Sequence, residues 1–134
     1  VRQPALKFAS KAKRQQPEAQ LQKRIVQWLR MTAMPGVLFF SVPNEGRRSV
    51  VLGTHFKAMG LRPGVADLVI IVKGRASFLE LKHGSNIITS EQSSFGHEAI
   101  FASCNYEVAY TLDEALAHLR AWGAIRPDSG RRAA

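Results

Sequence analysis

Cysteine is almost absent from this chain: Cys104 is the only one in 134 residues. A single thiol excludes an internal disulfide and a multi-cysteine zinc site, so the fold has neither staple. Long apolar runs are missing as well. None approaches the roughly 20 residues of a membrane-spanning helix. The first stretch of the chain alternates basic and polar residues where a secretory signal would carry an apolar block. These absences predict an intracellular, cytoplasmic protein. Internal repeats and low-complexity segments are also lacking. Acidic residues are few: ten Asp and Glu against nineteen Lys and Arg leave a net charge of +9, with a pI near 10.5. A surplus of that size must sit mostly on the surface and points to a polyanionic partner. The remaining composition, 46% apolar and 22% charged, is that of an ordinary globular chain long enough for one domain.

Residues 1–16 carry Arg2, Lys7, Lys11, Lys13 and Arg14 with no acid, the pattern of a basic arm, either solvated or phosphate-binding. Pro17 suits the first position of a helix, and Leu21, Ile25, Trp28 and Leu29 follow at the spacing of an apolar stripe. The helix is expected to stop by Pro35-Gly36. Val37 to Val42 reads as a strand closed by Pro43. From Asn44 to Gly64 the chain is basic and punctuated by glycine. It reads as a long loop or short hairpin with one helical turn near Phe56, a length that often carries function. Val65 to Val72 and Ser77 to Lys82 read as an antiparallel hairpin across a four-residue loop, 73–76. Thr89 to Ser103 reads as a helix and Tyr106 to Tyr110 as a strand. Thr111 to Trp122 reads as a helix with a Thr111/Glu114 capping box and Gly123 as its stop. Residues 124–134 form a basic, frayed tail. The predicted fold class is α/β, a mixed central sheet flanked by helices.

Charges inside apolar strands require a reason, because an unpaired buried charge costs several kcal/mol or shifts to its neutral form. The run VADLVIIV admits Asp67, and SFLELK admits Glu80 and Lys82. A four-residue loop would set Asp67 opposite Lys82 and Val69 opposite Glu80, with all three charges on one face, unless a bulge shifts the register. Glu18 lies over the stripe of the first helix, where it either joins those charges or simply suits the positive end of the helix. Carboxylates converging in a basic protein suit a hard divalent cation such as Mg²⁺. A neighbouring lysine suits phosphate chemistry. The alternative is a cross-strand salt bridge on an exposed sheet, worth about 0–1 kcal/mol.

Pro63-Gly64-Val65-Ala66-Asp67, then Phe78-Leu79-Glu80-Leu81-Lys82, then Ser90-Glu91-Gln92 together resemble the VRR-NUC family, the virus-type replication-repair nucleases of the PD-(D/E)xK superfamily. The likeness spans roughly residues 17–122 and includes Pro43-Asn44-Glu45-Gly46 and the helix that begins Glu18-Ala19-Gln20-Leu21-Gln22. An ExK triplet alone is common; the ordered set of Asp, ExK and downstream Gln is specific. The resemblance implies a restriction-endonuclease-like αβββαβ core over residues 17–123, between the basic arm and the basic tail. It implies Mg²⁺ or Mn²⁺ held by Asp67, Glu80 and the Leu81 backbone carbonyl, with Glu18 completing the site. By the same resemblance Lys82 would orient the attacking water and Gln92 would sit beside the lysine or a phosphate. Many relatives carry Pro where this chain has Ala66.

Gln92 also fits a capping box with Thr89, and the two roles compete at this stage. Asn44 and Glu45 could approach the site or serve as turn residues. Arg47, Arg48, Lys57 and Arg62 are candidate DNA contacts, or a solvated loop. His55, His83, His97 and His118 lack paired metal-ligand spacing, and Cys104 lacks a base partner and reads as a small buried hydrophobe. The expected activity is metal-dependent endonucleolytic hydrolysis of DNA. Likeness to stand-alone phage and bacterial VRR-NUC proteins implies a homodimer that cuts branched DNA such as four-way junctions. The alternatives are a nuclease of ordinary duplex or flap DNA, and a non-catalytic basic nucleic-acid-binding module.

Overall fold

A computed structural model describes residues 2–43 and 50–128, with the backbone course alone for 2–16 and 50–52. The elements run α1 (Arg2–Thr32), β1 (Leu38–Ser41), α2 (Val50–Ala58), β2 (Leu68–Val72), β3 (Arg75–Leu81), α3 (Ser90–Phe101), β4 (Asn105–Ala109) and α4 (Leu112–Ala121). The four strands form one mixed sheet in the order β1-β2-β3-β4, the first three antiparallel and β3 parallel to β4.

The centre of the sheet is set by a tighter turn than the sequence suggested. Lys73 and Gly74 both take positive φ, 51° and 81°, as the central pair of a two-residue hairpin turn does because its twist matches that of the strands. Val72 therefore faces Arg75, not Ser77, and Leu68 faces Leu79. Continued one step, this register brings Asp67 opposite Glu80 instead of Lys82, and Val69 lies opposite Phe78. The slip is two residues, one full period of a strand, so Asp67, Glu80 and Lys82 keep the common face expected of them.

The other face holds the main core. Leu68 and Ile70 of β2 and Leu79 and Leu81 of β3 are fully buried against Ile25 and Leu29 of α1 and Ala115, Leu116 and Leu119 of α4. Each such aliphatic side chain contributes about 1.5–3 kcal/mol by leaving water. Of the predicted α1 stripe, Ile25 and Leu29 are sealed in, Leu21 packs at the margin, and Trp28 stays 38% exposed. On the opposite face α3 covers β3 and β4. Phe78 and Tyr106, paired across the strands, meet Phe95 edge-on at ring distances of 4.9 and 6.0 Å.

Three further expectations change. The first helix does not begin at Pro17; it runs from Arg2 through it. The strong helix formers around Pro17 carry the helix past a residue whose cost is a missing N–H and a steric clash. The segment expected to be loop or hairpin contains the nine-residue α2. Ala124 and Ile125, read as frayed tail, are buried: Ala124 accepts the Met34 N–H at 2.9 Å, and Ile125 bridges Ala33. Among the described residues no helix is long and apolar enough to cross a membrane.

Candidate active site

The start of β2 and the end of β3 meet at the sheet end away from the Lys73-Gly74 turn, and there the charged residues gather. Asp67 sits just before β2, and its Oδ2 accepts the Leu81 N–H at 2.8 Å. In a strand the N–H and C=O of one residue point to the same side, so the Leu81 carbonyl also faces the β2 edge where Asp67 lies. Burial raises the pKa of Asp67 above its ordinary value, the Leu81 N–H pulls it back, and the charge of Glu18 adds to the rise.

Glu80 is 3% exposed. Its Oε1 accepts a hydrogen bond of 2.5 Å from Gln92 Nε2, while its Oε2 is buried with no partner among the described residues. Burial first, and the charge of Asp67 second, push its pKa up to about 8; Lys82 opposes them. At neutral pH the two carboxyls therefore hold a proton between them that a cation could replace.

Gln92 fills the capping role and also reaches Glu80, a partner other than the lysine or phosphate that the resemblance implied. Its Oε1 accepts the Thr89 N–H at 2.8 Å, and its own N–H donates to Thr89 Oγ1 at 3.2 Å, a complete capping box. Because the Thr89 N–H can only donate, the amide oxygen must face it, which leaves Nε2 for Glu80. The helix cap thus aims the side chain that holds the carboxylate. What seats this helix end is Gly64, at φ +84°, where an added Cβ would lie 2.4 Å from the backbone C and O of Glu91. The chain crosses α3 so closely that only glycine fits.

Lys82 is 8% exposed, and its backbone N–H donates to the Ala109 carbonyl at 3.0 Å. Its charge lowers the pKa of both carboxylates, yet it forms no ion pair among the described residues. Glu18 lies within electrostatic reach of Asp67 and Glu80. Its direct partner is Asn86, whose Nδ2 is 3.4 Å away. The Asn86 carbonyl is in turn held by the Tyr110 hydroxyl at 2.7 Å.

The donors present fit a hard divalent cation. Asp67 and Glu80 supply carboxylate oxygens, Glu80 Oε2 has no hydrogen-bond partner among the described residues, and the Leu81 carbonyl faces the same edge. No group of three or more His, Cys, Asp or Glu among the described residues is gathered closely enough to hold a metal. One or two carboxylates completed by water is the set Mg²⁺ prefers.

Tyr106 escaped sequence reading. Its hydroxyl is buried without a partner among the described residues. Burial, then the charges of Glu80 and Asp67, push its pKa up to about 12. The signal for it was Gly96, an unfavourable residue inside a helix: a Cβ there would come within 2.8 Å of the Tyr106 ring.

The expected DNA contacts scatter. Arg47 and Arg48, with Asn44 and Glu45, lie outside the described residues. Lys57 is exposed on α2. Arg62 is tied to α3, donating to Glu98 at 2.6 Å and lying 5.3 Å over the Phe95 ring. Thr111 caps α4 through the Glu114 N–H, but Glu114 reaches back to the Tyr110 N–H and not to Thr111. Cys104 is half-buried instead of sealed in the core. Comparison with protein-family models, curated proteins and solved structures returns no match to this chain.

Proposed function

We propose that this chain is a Mg²⁺- or Mn²⁺-dependent endodeoxyribonuclease with a restriction-endonuclease-like core, cutting branched DNA as a homodimer. The observation that carries the reading is the pairing of half-buried Asp67 with buried Glu80, one of whose carboxylate oxygens has no partner among the described residues, on the same face as Lys82. A salt bridge on an exposed sheet would be solvated and ion-paired; here Glu80 and Lys82 are buried, and among the described residues no ion pair links the lysine to either carboxylate. The net charge of +9 supports a nucleic-acid substrate. The branched substrate, the homodimer and the family membership rest on the resemblance of the Asp67, Glu80-Leu81-Lys82 and Gln92 pattern to VRR-NUC proteins.

In this reading Asp67, Glu80 and the Leu81 carbonyl hold the cation. When bound, it supplies Lewis-acid activation of water and neutralises charge building on the phosphate. Gln92 fixes the orientation of Glu80 through Oε1 and leaves Oε2 toward the cation. Lys82 brings a positive charge to the scissile phosphate and orients the attacking water. Glu18, through Asn86, borders the site from α1 and adds negative charge that favours cation binding.

The test is cleavage of a four-way junction and its matching linear duplex with Mg²⁺, Mn²⁺ or EDTA, using wild type and Lys82→Ala. Metal-dependent nicking of the junction, lost in the variant while DNA binding persists, is expected. Equal rates on both substrates would move the reading to ordinary duplex. Full cleavage by Lys82→Ala would remove the lysine from the chemistry. The absence of a third acidic ligand among the described residues favours one rival, a basic binding module without catalysis. Calorimetric titration with Mn²⁺ separates the two, since a module without a cation site gives no heat that depends on Asp67 and Glu80.

A further inference from the structure

The sheet end opposite the carboxylates carries a second concave feature. A cavity of about 380 Å³ opens between the turn after α1, the β2–β3 turn and the last turn of α4, a size within the roughly 300–1,000 Å³ of ligand pockets. Met34, Val37, Val72 and Ile125 give it apolar walls, and its charged lining residues are Lys73 and Arg120, with no acid.

Both cations are placed at a cost. Arg120 Nε is buried with no hydrogen-bond partner among the described residues, and an unmet buried donor is destabilising. The C-terminal end of α4 offsets part of the guanidinium charge but offers Nε no acceptor. Lys73 holds φ at 51°, at a turn position where Asn or Gly is usual. A lysine there retains local backbone strain that Asn or Gly would relieve. Asp128 follows the lining residue Pro127 but is exposed and forms no ion pair with either cation. Among the described residues no acid pairs with either cation.

We infer that this cavity binds a small organic anion with an apolar body, an aryl or alkyl phosphate or carboxylate. Its anionic group meets the Arg120 guanidinium and the Lys73 ammonium, and its apolar part fills the space between Val37, Val72 and Ile125. A bare phosphate of a DNA backbone would use the cations but leave the apolar walls empty, which disfavours it as the occupant. The site is separate from the carboxylates and does not depend on the nuclease reading.

The experiment is a nuclear magnetic resonance titration of the isotope-labelled full chain with phenyl phosphate, inorganic phosphate and benzyl alcohol. Saturable shifts at the amides of Val37, Val72, Gly123 and Ile125 are expected with phenyl phosphate, with Gln92 unmoved. Inorganic phosphate and benzyl alcohol, each offering half the recognition, should bind about tenfold more weakly or less. Arg120→Gln should weaken phenyl phosphate by about tenfold, the range for a lost hydrogen bond to a charged group. Lys73→Asn should also weaken it while leaving melting temperature unchanged or raised, because Asn suits the turn. The opposite signs separate ligand recognition from folding. No saturable shift, equal binding of inorganic phosphate, or full affinity in Lys73→Asn would each overturn the inference.

Discussion

Replacing Glu80 by Gln should make the metal-free protein more stable at alkaline pH and leave it almost unchanged in acid. In the native state the carboxyl is raised from an ordinary 4.5 to about 8, by burial first and by the charge of Asp67 second. A folded state that holds a proton more tightly than the unfolded chain loses stability as pH rises between those two values. Below about pH 4.5 the carboxyl is neutral in both states and costs nothing; above about pH 8 the full penalty is present. At about 1.4 kcal/mol per pH unit, discounted because the site is partly open to water, the penalty is on the order of 2–4 kcal/mol. Gln is nearly isosteric: its oxygen still accepts from Gln92 Nε2, and its amide gives a donor where Oε2 now has no partner. For a chain of this size 1 kcal/mol is roughly 4 °C in melting temperature, so the variant should melt some 8–16 °C higher at about pH 9 by the same conversion. The assay is thermal unfolding with chelator present, from about pH 5 to about pH 9. Parallel pH curves for wild type and variant would refute the reasoning, because the strain attributed to Glu80 would not exist. The same variant should lose most of its Mn²⁺ affinity by calorimetry, so stability and cation binding move in opposite directions.

Gln92→Glu keeps the acceptor that caps α3 but removes the donor to Glu80. Helix content should persist by circular dichroism while stability falls by about 1.5–3 kcal/mol above neutral pH, as for a hydrogen bond to a charged group; equal stability at all pH values would show that the Glu80 contact is idle. Gly64→Ala should cost on the order of 2–4 kcal/mol, since the new Cβ meets the backbone of Glu91 at a positive φ. It should also weaken Mn²⁺ binding by displacing Gln92, and an unchanged melting temperature would contradict the close crossing.

Where a residue's role follows from its neighbours along the chain, the sequence was a sufficient guide. Strand and helix periodicity gave the order of elements, with α2 anticipated only as one turn near Phe56: Gly53 and a segment without a clear stripe hid its length. The common face of Asp67, Glu80 and Lys82 survived a wrong loop length because strands repeat every two residues and the error was two. The Lys73-Gly74 turn was misjudged because lysine is an unusual occupant of its left-handed position. The Thr89/Gln92 capping box was legible, being local; that the same amide reaches Glu80 was not, being set by how α3 lies on β3.

The sequence by itself determined a mixed α/β chain, its basic charge, the apolar faces of its strands and helices, and which polar residues break them. These are properties of composition and period, and they are fixed before any packing occurs. Only the tertiary structure decided that Asp67 faces Glu80, that Glu80 Oε2 has no partner among the described residues, that Tyr106 seats on Gly96, and that Arg62 is committed to α3. It alone brought Lys73 and Arg120, far apart in the chain, to one apolar cavity. Such outcomes depend on distances between elements remote in sequence, and those distances are set when the two faces of the sheet are covered by different helices.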